Sequence, residues 1–173
     1  MSSNKFNLMA FNERLGLWKH SIAQVNQGKL YVTFENVTKI VTCNPLFGFG
    51  AEQFMKLSPF SQRVWLEKVT PGTRHVYEHA HNDYVEVFFN YGVIGILVLF
   101  WFILDLFKRF MCGAKTRILV ISFCVLLAQF VSALGIYTMF TAVSGFIFCL
   151  MLGIFHGEVN RQRILNGPRC VVV

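Results

Sequence analysis

The residues best suited to chemistry sit in one short string, His79 to Gly95, reading HAHNDYVEVFFNYGVIG. Two histidines, an amide and two carboxylates, Asp83 and Glu86, crowd together immediately ahead of a long apolar run. A neutral imidazole can take a proton from a hydroxyl near physiological pH, and a neighbouring amide or carboxylate can orient it and fix its tautomer. Asp83, three residues before Glu86, has the form of a capping box, which predicts a helix starting at or near Asp83. His81 and Asn82 then stand at the positive end of that helix, which opposes imidazole protonation and favours anions nearby. The pattern suits a general base working beside a phosphate-bearing lipid.

The elements that must hold this string belong to a membrane protein. From Val87 to Leu104, 18 residues carry no charge, and Asn90 is their only strongly polar side chain. That length crosses a hydrocarbon core at about 1.5 Å per residue. Charged residues make up 14% of the chain against 54% hydrophobic, well short of the quarter or so usual in a soluble domain. The formal net charge is +7. Its basic excess gathers around the apolar runs, with only Asp105 and Glu158 as acids beyond Glu86. This is a topology signal and speaks against nucleic acid as a partner.

A second apolar stretch, Ile118 to Phe155, holds 38 residues without Lys, Arg, Asp or Glu. One helix of that length would be roughly 57 Å long, so the stretch must fold back, with Ser132, Gly135, Tyr137 and Thr138 at the turn. The fold expected is all-α and polytopic. An external helical loop region, 1–85, precedes three transmembrane helices within 86–156 (about 86–107, 118–136 and 138–156), and a basic tail fills 157–173. Lys108, Arg109, Lys115 and Arg117 in one loop and Arg161, Arg163 and Arg169 in the tail place both on the cytoplasmic side, leaving 1–85 outside. A soluble stretch of that size seldom crosses a membrane without a preceding signal or span. The expectation is therefore a C-terminal portion of a larger protein, or a chain working beside a missing N-terminal transmembrane half.

Within 1–85, Leu15, Trp18, Ile22 and Val25 recur at helical spacing, with Asn12 as cap and Gly28 as terminator. Residues 30–42 mix alternation with helical spacing and point to neither state. Asn36-Val37-Thr38 matches a glycosylation acceptor, a pattern short enough to arise by chance. Asn44-Pro45 with Gly48 and Gly50 marks a turn; a phosphate cradle is the sharper and less favoured reading of those glycines. A partly helical segment spans 51–69, and Pro71-Gly72 breaks it. Tyr84 and Tyr91 read as interfacial anchors, Gly92 and Gly95 as sites of close helix packing. The five cysteines show neither a disulfide framework nor zinc-ligand spacing.

Three strings together, an Arg–x–x–x–Trp helix at Arg14 and Trp18, NPLFGFG at 44–50, and HAHNDYVEVFFNYGVIG opening a span, resemble the O-antigen ligase and O-antigen polymerase superfamily. The resemblance covers 12–157 and implies a bacterial inner-membrane glycosyltransferase that needs no metal or other cofactor. Such enzymes move glycan from an undecaprenyl-pyrophosphate carrier to an acceptor hydroxyl, on a glycan or on lipid A-core, with inversion. It implies His81 as base, Asn82 and Asp83 as its orienting neighbours, and Arg14 and Arg74 as pyrophosphate ligands. The chain departs from the family in lacking its many N-terminal spans, which also admits a truncated, inactive remnant or an accessory membrane subunit.

A rival motif overlaps the same string. His75-Val76-Tyr77-Glu78-His79 matches H-x-x-E-H, a zinc-hydrolase signature. It needs a helix running through His79 and a third ligand downstream, where only Asp105 and Glu158 remain.

Overall fold

The computed structural model describes residues 3–34, 37–59, 62, 79–134 and 142–166. Arg74, His75, Glu78, the Pro71-Gly72 break and the turn residues Gly135, Tyr137 and Thr138 lie outside them. The chain divides into two compact units, Met1–Leu97 and Val98–Val173.

The first unit opens with α1 (Ser3–Gln27). The helix starts well before Asn12, so Asn12 lies inside it instead of capping it. Gly28 ends it as expected, its N–H bonding the Val25 carbonyl at 3.0 Å. Next come β1 (Lys29–Phe34) and β2 (Val37–Thr42), an antiparallel pair with Leu30 opposite Val41 and Tyr31 opposite Ile40. The N-terminal region is therefore not all-α. Valine, isoleucine, threonine and tyrosine fill both strands, and such side chains pack better on a pleated surface than on a helix. After the 44–50 loop, α2 covers 53–59.

These pieces close around Val25, Leu30, Phe54, Ala80, Val85 and Phe89, all buried. Phe89 sits at the centre, stacked on Phe49 at 4.7 Å and edge-on to Phe54 at 5.0 Å. It is contributed by α3 (Asp83–Cys112), which holds one non-helical residue, Gly92, at φ 62 and ψ −154.

The break at Gly92 is repaired by the 44–50 loop. Among the helical bonds that would span that break are those from Val93 to Phe89 and from Ile94 to Asn90. Instead Val93 N–H donates to the Pro45 carbonyl and Ile94 N–H to the Leu46 carbonyl, each at 3.1 Å. The Phe89 and Asn90 carbonyls accept from Phe49 N–H at 2.9 Å and Gly50 N–H at 2.8 Å. Both contact points require glycine. A Cβ on Gly92 would lie 2.3 Å from the Pro45 oxygen, and one on Gly48 2.6 Å from both the Gly92 nitrogen and the Phe89 oxygen.

The second unit comprises the rest of α3 with α4 (Arg117–Ser132) and α5 (Ala142–Asn166). Leu106, Leu119, Phe123, Leu126, Phe130, Phe155 and Val159 form its core. Thr116 caps α4, accepting from Leu119 N–H and donating to Glu158 Oε1 at 2.9 Å. The Gln162 amide brackets Ala114, accepting from its N–H at 2.7 Å and donating to its carbonyl at 3.0 Å. Residues expected in the tail, 157–166, thus continue α5. Cys112 is disulfide-bonded, whereas its place in the sequence suggested no such pairing.

Two helices, Asp83–Cys112 and Val143–Leu165 within α5, are long and apolar enough to cross a membrane; α4 has 16 residues and falls short of that length. In each of the two, only 17% of the apolar window is buried within the chain, unlike the core helix of a soluble protein. The chain therefore leaves long apolar faces to lipid or to other protein, as a membrane protein does.

Gly92→Ala forces an L-residue into a backbone conformation that essentially only glycine adopts, at about 1–3 kcal/mol, before the overlap with Pro45 is added. Gly153→Ala, where nothing lies within 4 Å of the new methyl, is neutral or gains up to about 1 kcal/mol of helix propensity. Thermal unfolding of both variants in one detergent should show these opposite signs. A Gly92→Ala protein as stable as its parent contradicts the repaired break.

Candidate active site at the start of the third helix

Asn82, not Asp83, caps α3. Its Oδ1 accepts from Val85 N–H at 3.1 Å, and its carbonyl accepts the first helical bond, from Glu86 N–H at 3.1 Å. Asp83 is consequently the first helical residue, and the predicted capping box is displaced by one position. Asn82, Asp83 and Glu86 are all buried. His81, half-buried before the cap, has φ 51, the left-handed region that non-glycine residues seldom adopt. Holding it there costs on the order of 1–3 kcal/mol, which the surroundings must supply.

Three contacts supply it. The Asn82 cap fixes one side of His81. On the other, the Ala80 carbonyl accepts from the Trp18 indole N–H at 2.6 Å, a bond spanning 62 residues of sequence. Behind both, His79 Nδ1 lies 3.4 Å from Glu86 Oε1 and ties the segment back onto the first turn of α3. The second Glu86 oxygen, Oε2, is buried with no hydrogen-bond partner among the described residues.

Trp18 carries Arg14 with it. The two are four residues apart on α1 and share a face with Leu17, Ser21 and Val25, which are buried. Arg14 Nε is itself buried without a hydrogen-bond partner among the described residues. A guanidinium nitrogen in that condition favours an anionic ligand, since an unpaired buried donor costs about 1–3 kcal/mol or more. The helix bearing Arg14 and the strained turn bearing His81 are thus pinned together at Trp18. Arg74 is outside the described residues.

The glycine pair of the 44–50 loop is not a phosphate cradle. Every backbone N–H from Leu46 to Gly50 already donates within the protein: Leu46 to Asn44 Oδ1, Phe47 and Gly48 to the Asn44 carbonyl, Phe49 and Gly50 into α3. The ordinary-turn reading holds, with docking as an added role. Asn90, singular in its apolar run yet given no role by the sequence, accepts Phe54 N–H at 2.9 Å and so caps α2. The signal was its isolation: a buried amide within an apolar helix needs a partner.

Of the zinc motif only His79 lies among the described residues, in a bend ahead of α3 and outside that helix; His75 and Glu78 lie beyond them. Among the described residues no group of three or more His, Cys, Asp or Glu is placed to hold a metal. Comparison of the chain with protein-family models, with curated proteins and with solved structures found no match.

Asn82→Ala should cost about 1 kcal/mol through the lost cap, and Trp18→Phe about 1–3 kcal/mol by orphaning the buried Ala80 carbonyl. Because both hold one short segment, the double variant should deviate from additivity by at least about 0.5 kcal/mol. Denaturant unfolding of the three proteins checks this; strictly additive costs would mean that the two contacts act independently.

Proposed function

We propose that the chain is the C-terminal catalytic portion of a membrane glycosyltransferase of the O-antigen ligase or polymerase type. The observation that carries the reading is the Trp18–Ala80 hydrogen bond. It joins two of the three strings on which the resemblance rests, the Arg14 helix and the histidine segment, although 62 residues separate them.

In the proposed reaction an acceptor hydroxyl attacks the anomeric carbon of a glycan carried on undecaprenyl pyrophosphate. The new C–O bond forms on the face opposite the leaving group, so the anomeric centre inverts. The bond from that carbon to the pyrophosphate oxygen breaks, and the carrier leaves with both electrons. His81 takes the hydroxyl proton as the bond forms, a contribution of about 10²–10⁴-fold for a well-placed base. Arg14 holds the pyrophosphate and stabilises its growing charge through a planar fork of donors. Asn82 acts on His81 through the cap that fixes the left-handed turn, and Asp83 sets local charge from the first helical position. No metal or other cofactor enters the scheme.

The same proposal has α3, α4 and α5 as three spans of a bacterial cytoplasmic membrane, with residues 1–85 in the periplasm and the C-terminus in the cytoplasm. The basic residues Lys108, Arg109, Lys115, Arg117 and Arg163 support that orientation. The disulfide at Cys112 argues the other way, because a reducing cytoplasm disfavours it. The apolar faces of α3 and α5 would meet lipid or a missing N-terminal transmembrane half.

One complementation experiment tests role and orientation together. The chain, tagged at its N-terminus with a reporter active only outside the cytoplasm, is expressed in a strain lacking its glycan ligase or polymerase. The wild-type chain is expected to restore surface glycan. His81→Ala is expected to abolish it while reporter activity and membrane insertion stay unchanged. Full glycan transfer by His81→Ala removes the base from the mechanism, and a silent reporter reverses the orientation.

A further inference from the structure

The loop that repairs α3 leaves two large apolar side chains in the open. Leu46 is 51% and Phe47 63% exposed, although every backbone N–H from Leu46 to Gly50 already donates within the protein. Their height along α3 is fixed, because the Leu46 carbonyl accepts from Ile94 N–H and the Pro45 carbonyl from Val93 N–H. At that level α3 changes character. Before the break, Asp83, Val85, Glu86, Phe89 and Asn90 are buried in protein; beyond it, Val93, Ile94 and Leu97 are exposed. The exposed loop side chains thus stand at the level where the exposed stretch of α3 begins.

Beyond the break α3 runs 19 residues from Val93 to Met111, about 28 Å, with its charges confined to the last two turns, where Asp105 pairs with Arg109 and the long stems of Lys108 and Arg109 reach toward the far headgroups. Asp83 and Glu86 are thereby kept out of lipid, where carboxylates are costly. A break in a membrane helix is tolerated only where protein satisfies the freed backbone groups, and the 44–50 loop does so at Gly92.

We propose that the 44–50 loop is an interfacial membrane anchor that lays Leu46 and Phe47 into the headgroup–acyl boundary of the bilayer, with the membrane surface at Gly92. The inference depends on α3 crossing the bilayer and not on the chain being a glycosyltransferase. It moves the boundary six residues along α3 from the Glu86 limit expected from hydropathy, which raises His81 by about 9 Å relative to the lipid. The histidine segment therefore stands above the headgroups, and the loop sets that height.

The test is depth-dependent quenching of tryptophan fluorescence in the full chain, reconstituted into phosphatidylcholine vesicles. The lipids carry bromine either near the headgroup end or near the methyl end of the acyl chains. Fluorescence added by Phe47→Trp over the parent should be quenched more by the shallow bromines than by the deep ones. Ile40→Trp, on the exposed face of the hairpin, should be quenched by neither. The native Trp101 signal, isolated as the difference from Trp101→Phe, should be quenched in the bilayer. Leu46→Trp serves if Phe47→Trp does not reconstitute. An unquenched, water-like loop indole beside a quenched Trp101 overturns the anchor and leaves the span standing. An unquenched, blue-shifted loop indole assigns the loop to a protein partner and overturns the anchor equally. If Trp101 is unquenched as well, the span falls and the anchor with it.

Discussion

A helix that leaves water must carry its own hydrogen bonds, and α3 does not. At Gly92 it gives up helical bonds and takes four in exchange from residues 45–50. Everything described in the first unit depends on that exchange. It docks the 44–50 loop, sets Phe49 on Phe89, and brings Asn90 to the start of α2. It also anchors the turn of α3 on which the His79–Asp83 segment is built. A single buried amide or carbonyl left unsatisfied costs about 1–3 kcal/mol, so the loop and the broken helix are stable only together.

The histidine segment is the second consequence. His81 is held in a left-handed conformation by contacts from both sides, the Asn82 cap and the Trp18 indole. Strain of this kind persists where neighbouring structure over-determines it, and such places are often sites of recognition or chemistry. The buried Arg14 Nε and the buried Glu86 Oε2, neither with a hydrogen-bond partner among the described residues, lie on elements tied to the same segment. The glycosyltransferase reading uses the first of these and the His81 turn; it leaves Glu86 as the residue tethering His79.

Much of this organisation is legible in the sequence. The long apolar run marks α3, the Asp83–Glu86 pair places its start within a residue, and the charge-free 118–155 stretch divides in two as its length requires. Helical spacing finds α1, though not its earlier start, because Asn12 has the form of a cap, while Leu8 and Phe11 carry the spacing of 15–25 back beyond it. The β1–β2 hairpin escapes because its residues satisfy both periods, and only tertiary packing of Leu30 against Val25 and Phe54 chooses between them. The sequence match with Glu86 favours Asp83 as the cap. In the folded chain Glu86 turns to His79 instead, and Asn82 does the capping. The pairing of NPLFGFG with FFNYGVIG has no local signal beyond its glycines. Backbone-to-backbone docking leaves little trace in side-chain pattern, so Gly48 and Gly92 read only as turn and packing residues.

The repaired break is open to direct measurement by residue-resolved hydrogen exchange of the full chain in lipid nanodiscs. The amides of Phe49, Gly50, Val93 and Ile94 should all be protected and should exchange as one set, since each bond crosses the same contact. Rapid exchange at Phe49 and Gly50 beside slow exchange at Val93 and Ile94 would contradict the account: the helix would then be closing its own bonds, with the loop lying free of it.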